Sequence, residues 1–260
     1  MKVLTSAVIG LLGLSLNLTA LAADASTGPS DKVIHDYLIS HPEVLIEMSQ
    51  QLQKQQSDQA QELSQQVIKI IPTVASKLLS SDHPTMGPSH APVRVIEFFD
   101  YQCGHCKEMA PIVKELAKSH SNIAVSFIEF PIFGNSSVIA SKAALAAKLQ
   151  NKYFEMSHQL MLTDNPMTEQ KVYDAAKKVG INVHQLKKDM ESKEISKQID
   201  ANLALAKTLM LPGTPGFIVM SNNETQASSP SATQFFIPGA TSPDVLGQMI
   251  DQVASAKPAK

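Results

Sequence analysis

The 260-residue sequence predicts an α/β domain with an inserted helical domain, preceded by an N-terminal helical segment. Three observations predict it. An apolar strand pattern, Val93-Arg94-Val95-Ile96-Glu97-Phe98-Phe99, runs through Asp100-Tyr101-Gln102 into Cys103-Gly104-His105-Cys106, and a helix-like segment follows from Lys107. A second strand pattern, Ile123 to Phe130, lies at the spacing of a βαβ crossover, so these two strands should run parallel. Helical periodicity fills the stretch from Asp31 to about residue 80 and nearly all of 136–210.

Composition sets the outer bounds. Hydrophobic residues make up 43% of the chain and the formal net charge is −2. That is enough apolar material for a full core, and the near-neutral charge gives no argument for nucleic acid or an anionic membrane surface as a partner. The N-terminus reads as a secretory signal over 1–22: Lys2, an apolar run from Val8 to Leu16, then Ala20-Leu21-Ala22 as an A-x-A cleavage site. The run is too short for a membrane span. It holds no cysteine to carry a lipid, and no later segment is long and apolar enough to cross a bilayer.

After the signal, residues 24–29 are small and polar. Ser30 or Asp31 is placed to cap a first helix with Val33, Ile34, Tyr37 and Leu38 on one face, and Ser40-His41-Pro42-Glu43 marks a second start. An apolar seam then recurs at three- and four-residue steps: Leu45, Met48, Leu52, and after a Gln-rich run Leu63, Val67, Ile70, Val74 and Leu78. Pro72 is expected to kink or end this helix. A stripe of this kind must be covered, by the chain's own second domain or by another copy of the segment. The extended Gln-rich stretch favours self-association, so 23–80 is assigned as a helical oligomerisation segment and 81–260 as the second domain. Ser80 to Ala91, rich in helix breakers, marks the boundary.

Within the insertion, about 136–210, Thr168 can cap a helix that Gly180 ends, Asn182 can cap the next, and a longer helix runs from Ile195 to Leu209. Leu211-Pro212-Gly213-Thr214-Pro215-Gly216 leads into a third strand, Phe217 to Met220. Phe235-Phe236-Ile237 forms the last strand, and Ser242 to Ala256 the closing amphipathic helix.

Cys103 and Cys106 are the only cysteines. A structural zinc site takes about four ligands, and the histidines show no ligand spacing, so no metal site is assigned. A static disulfide here would close a very short loop and restrain the unfolded chain little. The arrangement suits a redox dithiol: helix N–H groups and the helix dipole stabilise a thiolate at a helix N-terminus, where cysteine pKa values fall from about 8.5 to roughly 3.5–7.5. Cys103 is read as the attacking sulfur, Cys106 as the resolving one, and His105, when protonated, adds to the stabilisation. Outside the cytosol disulfides persist, so an exported protein whose only cysteines form C-x-x-C is suited to exchanging disulfides with other proteins.

With its helical insertion, Thr-Pro before the third strand and strand-strand-helix ending, the motif Phe98-Phe99-Asp100-Tyr101-Gln102-Cys103-Gly104-His105-Cys106-Lys107 resembles the DsbA-like branch of the thioredoxin fold over about residues 87–256. The segment 31–51, with His41-Pro42-Glu43-Val44-Leu45, is similar to the N-terminal region of ScsC-type exported thiol oxidoreductases. That resemblance implies a periplasmic setting, a homodimer or homotrimer formed through 31–80, client proteins with cysteines, a membrane redox partner and no cofactor. Outer-membrane association, described for some relatives, is a further setting it allows. It also implies that Glu97 is a buried acid assisting proton movement at the resolving thiol, that Pro215 is a cis-proline beside the dithiol, and that Thr214 and Gly104 contact substrate. DsbA has Pro-His between its cysteines; Gly104-His105 resembles protein disulfide isomerases, whose potentials lie near −180 mV against about −120 mV. The expected function is therefore a thiol-disulfide oxidoreductase with isomerase character. The alternatives are a DsbA-type oxidase and, from the ScsC link to copper tolerance, a copper-binding thiol protein.

Overall fold

A computed structural model describes residues 29–230 and 232–256; the expected signal over 1–22 lies outside the described residues. The chain divides into two units, 1–53 and 54–260. In the first, helix α1 covers Pro29–Ser40 and helix α2, Glu43–Leu78, begins three residues later. Ser40 Oγ donates to the carbonyls of Asp36 (2.7 Å) and Tyr37 (3.0 Å), closing α1, and Pro42 has no N–H with which to continue it. Val33, Ile34, Tyr37, Leu45, Met48 and Leu52 are each more than half exposed.

Helix α2 is continuous for 36 residues, so it does not end at Pro72. Proline cannot give an N–H to the carbonyl of Ile68, and Gln234 Nε2 donates to that carbonyl instead, at 3.3 Å. Burial of Val67, Ile71, Val74, Ala75 and Leu78 holds the remaining turns in place. Ser64 Oγ adds a hydrogen bond to the Phe236 carbonyl, 2.7 Å. The second half of the apolar seam thus covers the chain's own core, which corrects the expectation that the whole of 31–80 serves self-association.

The sheet begins with a short strand that the breaker-rich sequence concealed, β1 at Thr85–Met86, followed by β2 at Val93–Phe99. Gly87, at φ +97°, passes so close to the chain at Ile123 that a Cβ would lie 2.6 Å from the Ile123 carbonyl oxygen. Helix α3 spans Gly104–Ser119 and strand β3 Ile123–Glu129. Five helices form the insertion: α4 Asn135–Lys148, α5 Tyr153–Met161, α6 Glu169–Lys178, α7 Val183–Met190 and α8 Lys193–Thr208. Thr168 and Asn182 cap α6 and α7 as expected, accepting from Lys171 N and Gln185 N. Strand β4 (Gly216–Ser221), a one-turn helix α9 (Glu224–Ala227), strand β5 (Phe235–Pro238) and helix α10 (Pro243–Ser255) complete the chain.

Sheet order is β1-β3-β2-β4-β5, with β2 and β3 parallel and every other pair antiparallel. All seven residues of β2 are buried, because both faces are covered. Val93, Val95, Val125 and Phe217 meet α3 and α10 through Met109, Val113, Leu246 and Ile250. On the other face Ile96, Phe98, Ile128 and Ile218 meet Val67, Ile71 and Leu78 of α2 and Leu205 of α8. The insertion has its own core, which reaches Phe99, Tyr101 and both cysteines. This is a thioredoxin fold with an inserted helical domain. Among the described residues, no helix is long and apolar enough to cross a membrane.

Candidate active site

Strand β2 ends at Phe99, and the chain must turn before α3 can start. Asp100 makes that turn. Its Oδ1 accepts from Gln102 N at 2.7 Å, an Asx turn, and its carbonyl accepts from Cys103 N at 3.2 Å. The other carboxylate oxygen accepts from the backbone N–H groups of Ile132 (2.8 Å) and Phe133 (3.3 Å), which ties the loop after β3 to the cysteine loop. Cys103 then falls on the N-cap of α3, with Cys106 one turn inside.

Both cysteines are free thiols. Cys103 is 6% exposed and Cys106 fully buried. Cys103 Sγ donates to the Thr214 carbonyl at 3.3 Å across a loop containing a cis Thr214-Pro215 bond. Gly239 N donates to the Pro215 carbonyl at 2.8 Å, joining that loop to the end of β5. Burial pushes the Cys106 thiol well above the ordinary thiol range, and negative charge on Cys103 and Glu97 pushes the same way.

Glu97 lies on β2, 3% exposed, with its Oε1 lacking any hydrogen-bond partner. Burial, and secondarily the charge of Glu129, raises its carboxyl to about 8. Glu129 is the matching acid on β3. Its Oε1 accepts from Tyr101 OH at 2.9 Å and Tyr153 OH at 2.7 Å. Burial raises it to about 8 despite those two donors. Register explains the proximity of the two acids: Glu97 pairs with Phe127 and Phe99 with Glu129, so both carboxyls stand on one face of adjacent strands.

Most of the expected residues therefore converge. Cys103, at the N-cap of α3, meets Thr214 of the cis Thr214-Pro215 loop, Cys106 lies one turn inside the helix, and the charge of Glu97 bears on Cys106. His105 and Gly104 are exposed, and His105 Nδ1 faces the Glu108 carboxylate at 3.0 Å rather than either sulfur. Sequence reasoning assigned no role to Asp100, Gln102, Lys107 or Glu129. Lys107 Nζ donates to the Thr163 carbonyl (2.5 Å) and to Asn165 Oδ1 (2.8 Å), while Asn165 Nδ2 donates to the Gln102 carbonyl (2.8 Å). These contacts clamp the cysteine loop to the insertion. For Asp100 the available signal was an aspartate two residues before a turn. For Glu129 it was a carboxylate inside an apolar strand, the same mark that singled out Glu97.

Comparison with known proteins agrees with this geometry. A model of the DsbA-like thioredoxin domain matches residues 94–251, and one of the N-terminal domain of the copper resistance protein ScsC matches residues 31–59. The chain is 29% identical over 155 residues to a probable disulfide bond formation protein D of Bacillus cereus, covering 55% of this chain and 72% of that protein. The crystal structure of BcfH from Salmonella enterica Typhimurium superposes with a TM-score of 0.65 at 31% identity, over 86% of this chain and 94% of that one. A thioredoxin-like oxidoreductase from Silicibacter pomeroyi DSS-3 gives 0.62 at 32% identity, over 70% and 98%. The chain belongs to the DsbA-like family of thiol-disulfide oxidoreductases and carries the N-terminal segment of its ScsC type.

Proposed function

We propose that this protein is an exported, periplasmic thiol-disulfide oxidoreductase with isomerase character, acting on folding proteins through Cys103 and Cys106. The observation that carries the reading is a free Cys103 Sγ at the N-cap of α3, 3.3 Å from the Thr214 carbonyl, above a buried Cys106. The Cys103 thiolate attacks one sulfur of a client disulfide, forming a mixed disulfide and expelling the other client sulfur as thiolate. That thiolate can attack another disulfide of the client, and the client thiolate so released can attack the client sulfur bonded to Cys103, closing a new client disulfide and expelling the Cys103 thiolate, which is isomerisation. Alternatively Cys106 loses its proton and attacks Cys103 Sγ, releasing a reduced client and leaving the Cys103–Cys106 disulfide. Burial opposes loss of that proton, so an acceptor is needed. Glu97, raised to about 8, is poised near neutral pH for the task.

Isomerase character rests on the Gly104-His105 dipeptide and on self-association through the N-terminal segment, which would gather several dithiols around one client. Cys103→Ser should abolish reactivation of a substrate with scrambled disulfides, and Cys106→Ala should accumulate the mixed disulfide. Reactivation that persists without Cys103 refutes the mechanism. The name of the curated relative, a disulfide bond formation protein, favours the oxidase reading instead. The redox state in the native compartment separates the two: mostly oxidised for an oxidase, a substantial reduced fraction for an isomerase. Copper binding, suggested by the ScsC match, has only the two thiols to rest on, and Cu(I) titration of the reduced protein against Cys→Ser variants tests it.

A further inference from the structure

Of the two buried acids on the sheet, Glu97 has a task in the exchange reaction and Glu129 has none. Glu97 pairs with Phe127, and Glu129 follows two residues later on β3, so the two are diagonal neighbours on one face. Strands about 4.8 Å apart, rising about 3.3 Å per residue, place their Cα atoms about 8 Å from each other. Neither acid forms an ion pair among the described residues. Their hydrogen bonding differs. Two hydroxyls converge on Glu129 Oε1, one from Tyr101 in the cysteine loop and one from Tyr153 at the start of α5. Burial pushes both phenols well above their ordinary range, so they remain donors. Glu97 Oε1 has no donor. Donors favour the ionised form of a carboxyl, and like charges this close in a dry site oppose each other. The first charge of the pair therefore belongs on Glu129, and Glu97 holds its proton longer.

We propose that Glu129 is a positioning residue for the exchange reaction: held by Tyr101 and Tyr153, it keeps a negative charge beside Glu97 and so governs proton transfer between Glu97 and Cys106. This rests on the redox reading of the dithiol, with Glu97 as the proton acceptor. In the release step the Cys106 S–H proton passes to the Glu97 carboxylate and Cys106 Sγ bonds to Cys103 Sγ. The bond from Cys103 to the client sulfur breaks, and its electron pair leaves on the client thiolate. A neighbouring negative charge makes Glu97 a stronger base, which suits a thiol that burial makes weakly acidic. The other ionisable groups around the pair are Asp100 in the cysteine loop, Lys114 on α3, and Glu155 and His158 on α5. Asp100 opposes charge on Glu129. Lys114 is half-buried and Glu155 and His158 are exposed, so solvent screens them, whereas Glu129 is fully buried.

The test is to react the full-length reduced protein with oxidised glutathione across a pH series and to follow the Cys103–glutathione mixed disulfide by acid quench and mass spectrometry. In the unaltered protein its decay should accelerate through a midpoint at a pH of about 8. Glu129→Gln keeps an acceptor oxygen for both tyrosines and removes only the charge. It should lower that midpoint by on the order of one pH unit, the effect of a unit charge about 8 Å away at an effective dielectric constant of about 20. Tyr153→Phe, which removes one donor and leaves the acid, should shift it the same way by less. Formation of the mixed disulfide should keep its pH dependence in both variants, and Glu97→Gln should erase the midpoint of decay. A midpoint that stays in place or rises in Glu129→Gln would overturn the proposal and leave Glu129 a structural anchor. Failure of the redox reading looks different: no mixed disulfide forms at Cys103 in any of the proteins.

Discussion

Helix α2 holds two stretches that look alike on paper and end up differently. Leu45, Met48 and Leu52 repeat at the same three- and four-residue steps as Val67, Ile71, Val74 and Leu78. The first three are more than half exposed, whereas the last four are buried at 5% exposure or less. Periodicity states that a stripe needs covering, not what will cover it. The later stretch lies over a face of the sheet that it covers together with Leu205 of α8, with Ile96, Phe98, Ile128 and Ile218 beneath it. Among the described residues of its own unit, the earlier stretch has no such surface. A second copy of the segment is the occupant we propose.

The sharpest way to break this comparison is truncation. Removing residues 1–53 should leave a folded domain with intact dithiol chemistry, whereas removing 1–80 should expose the sheet face and give aggregated protein. Circular dichroism and gel filtration distinguish the outcomes, and two equally well-folded truncations would contradict the contrast. Next in size, Ile71→Ala should cost about 2–5 kcal/mol in denaturant melts, as cavity-creating changes do.

Charge sharpens the contrast further. Residues 30–53 bury no carboxylate, whereas the second unit buries Glu97 and Glu129. Both have folded-state values of about 8 against 4.5 ordinarily, so between these values the folded state holds more protons than the unfolded chain. Stability is therefore greatest below pH 4.5 as far as these groups decide it, and is lost as pH rises through about 8. Glu97→Gln should flatten that decline by on the order of 1–4 kcal/mol in denaturation series across this window. A slope unchanged by the substitution would mean that Glu97 titrates normally. The smallest expected effect is at Leu45→Ser, Met48→Ser and Leu52→Ser. Each should change domain stability by less than about 0.5 kcal/mol, while light scattering shows a loss of association. Unaltered mass in the triple variant would remove the proposed partner.

What was legible in the chain was whatever depends on near neighbours. The strand before Cys103, the helix after it, the caps at Thr168 and Asn182, and the carboxylate misplaced among apolar residues at 97 are all local marks. The two-residue strand β1 was hidden because its pairing comes from Val125 and Ser126, forty residues away. Helix continuity through Pro72 was hidden because its compensating donor is Gln234. Asp100 was visible as a turn former, but its grip on Ile132 and Phe133 depends on β3 lying beside β2.

Sequence alone thus determined the reactive pair, the order of the elements around it and the need to cover two apolar stripes, since each follows from spacing within a few residues. Tertiary structure decided which stripe became core, how near Thr214 comes to Cys103, and that Glu97 and Glu129 share a dry face. Those outcomes depend on pairings between distant segments, and on water being excluded once they close.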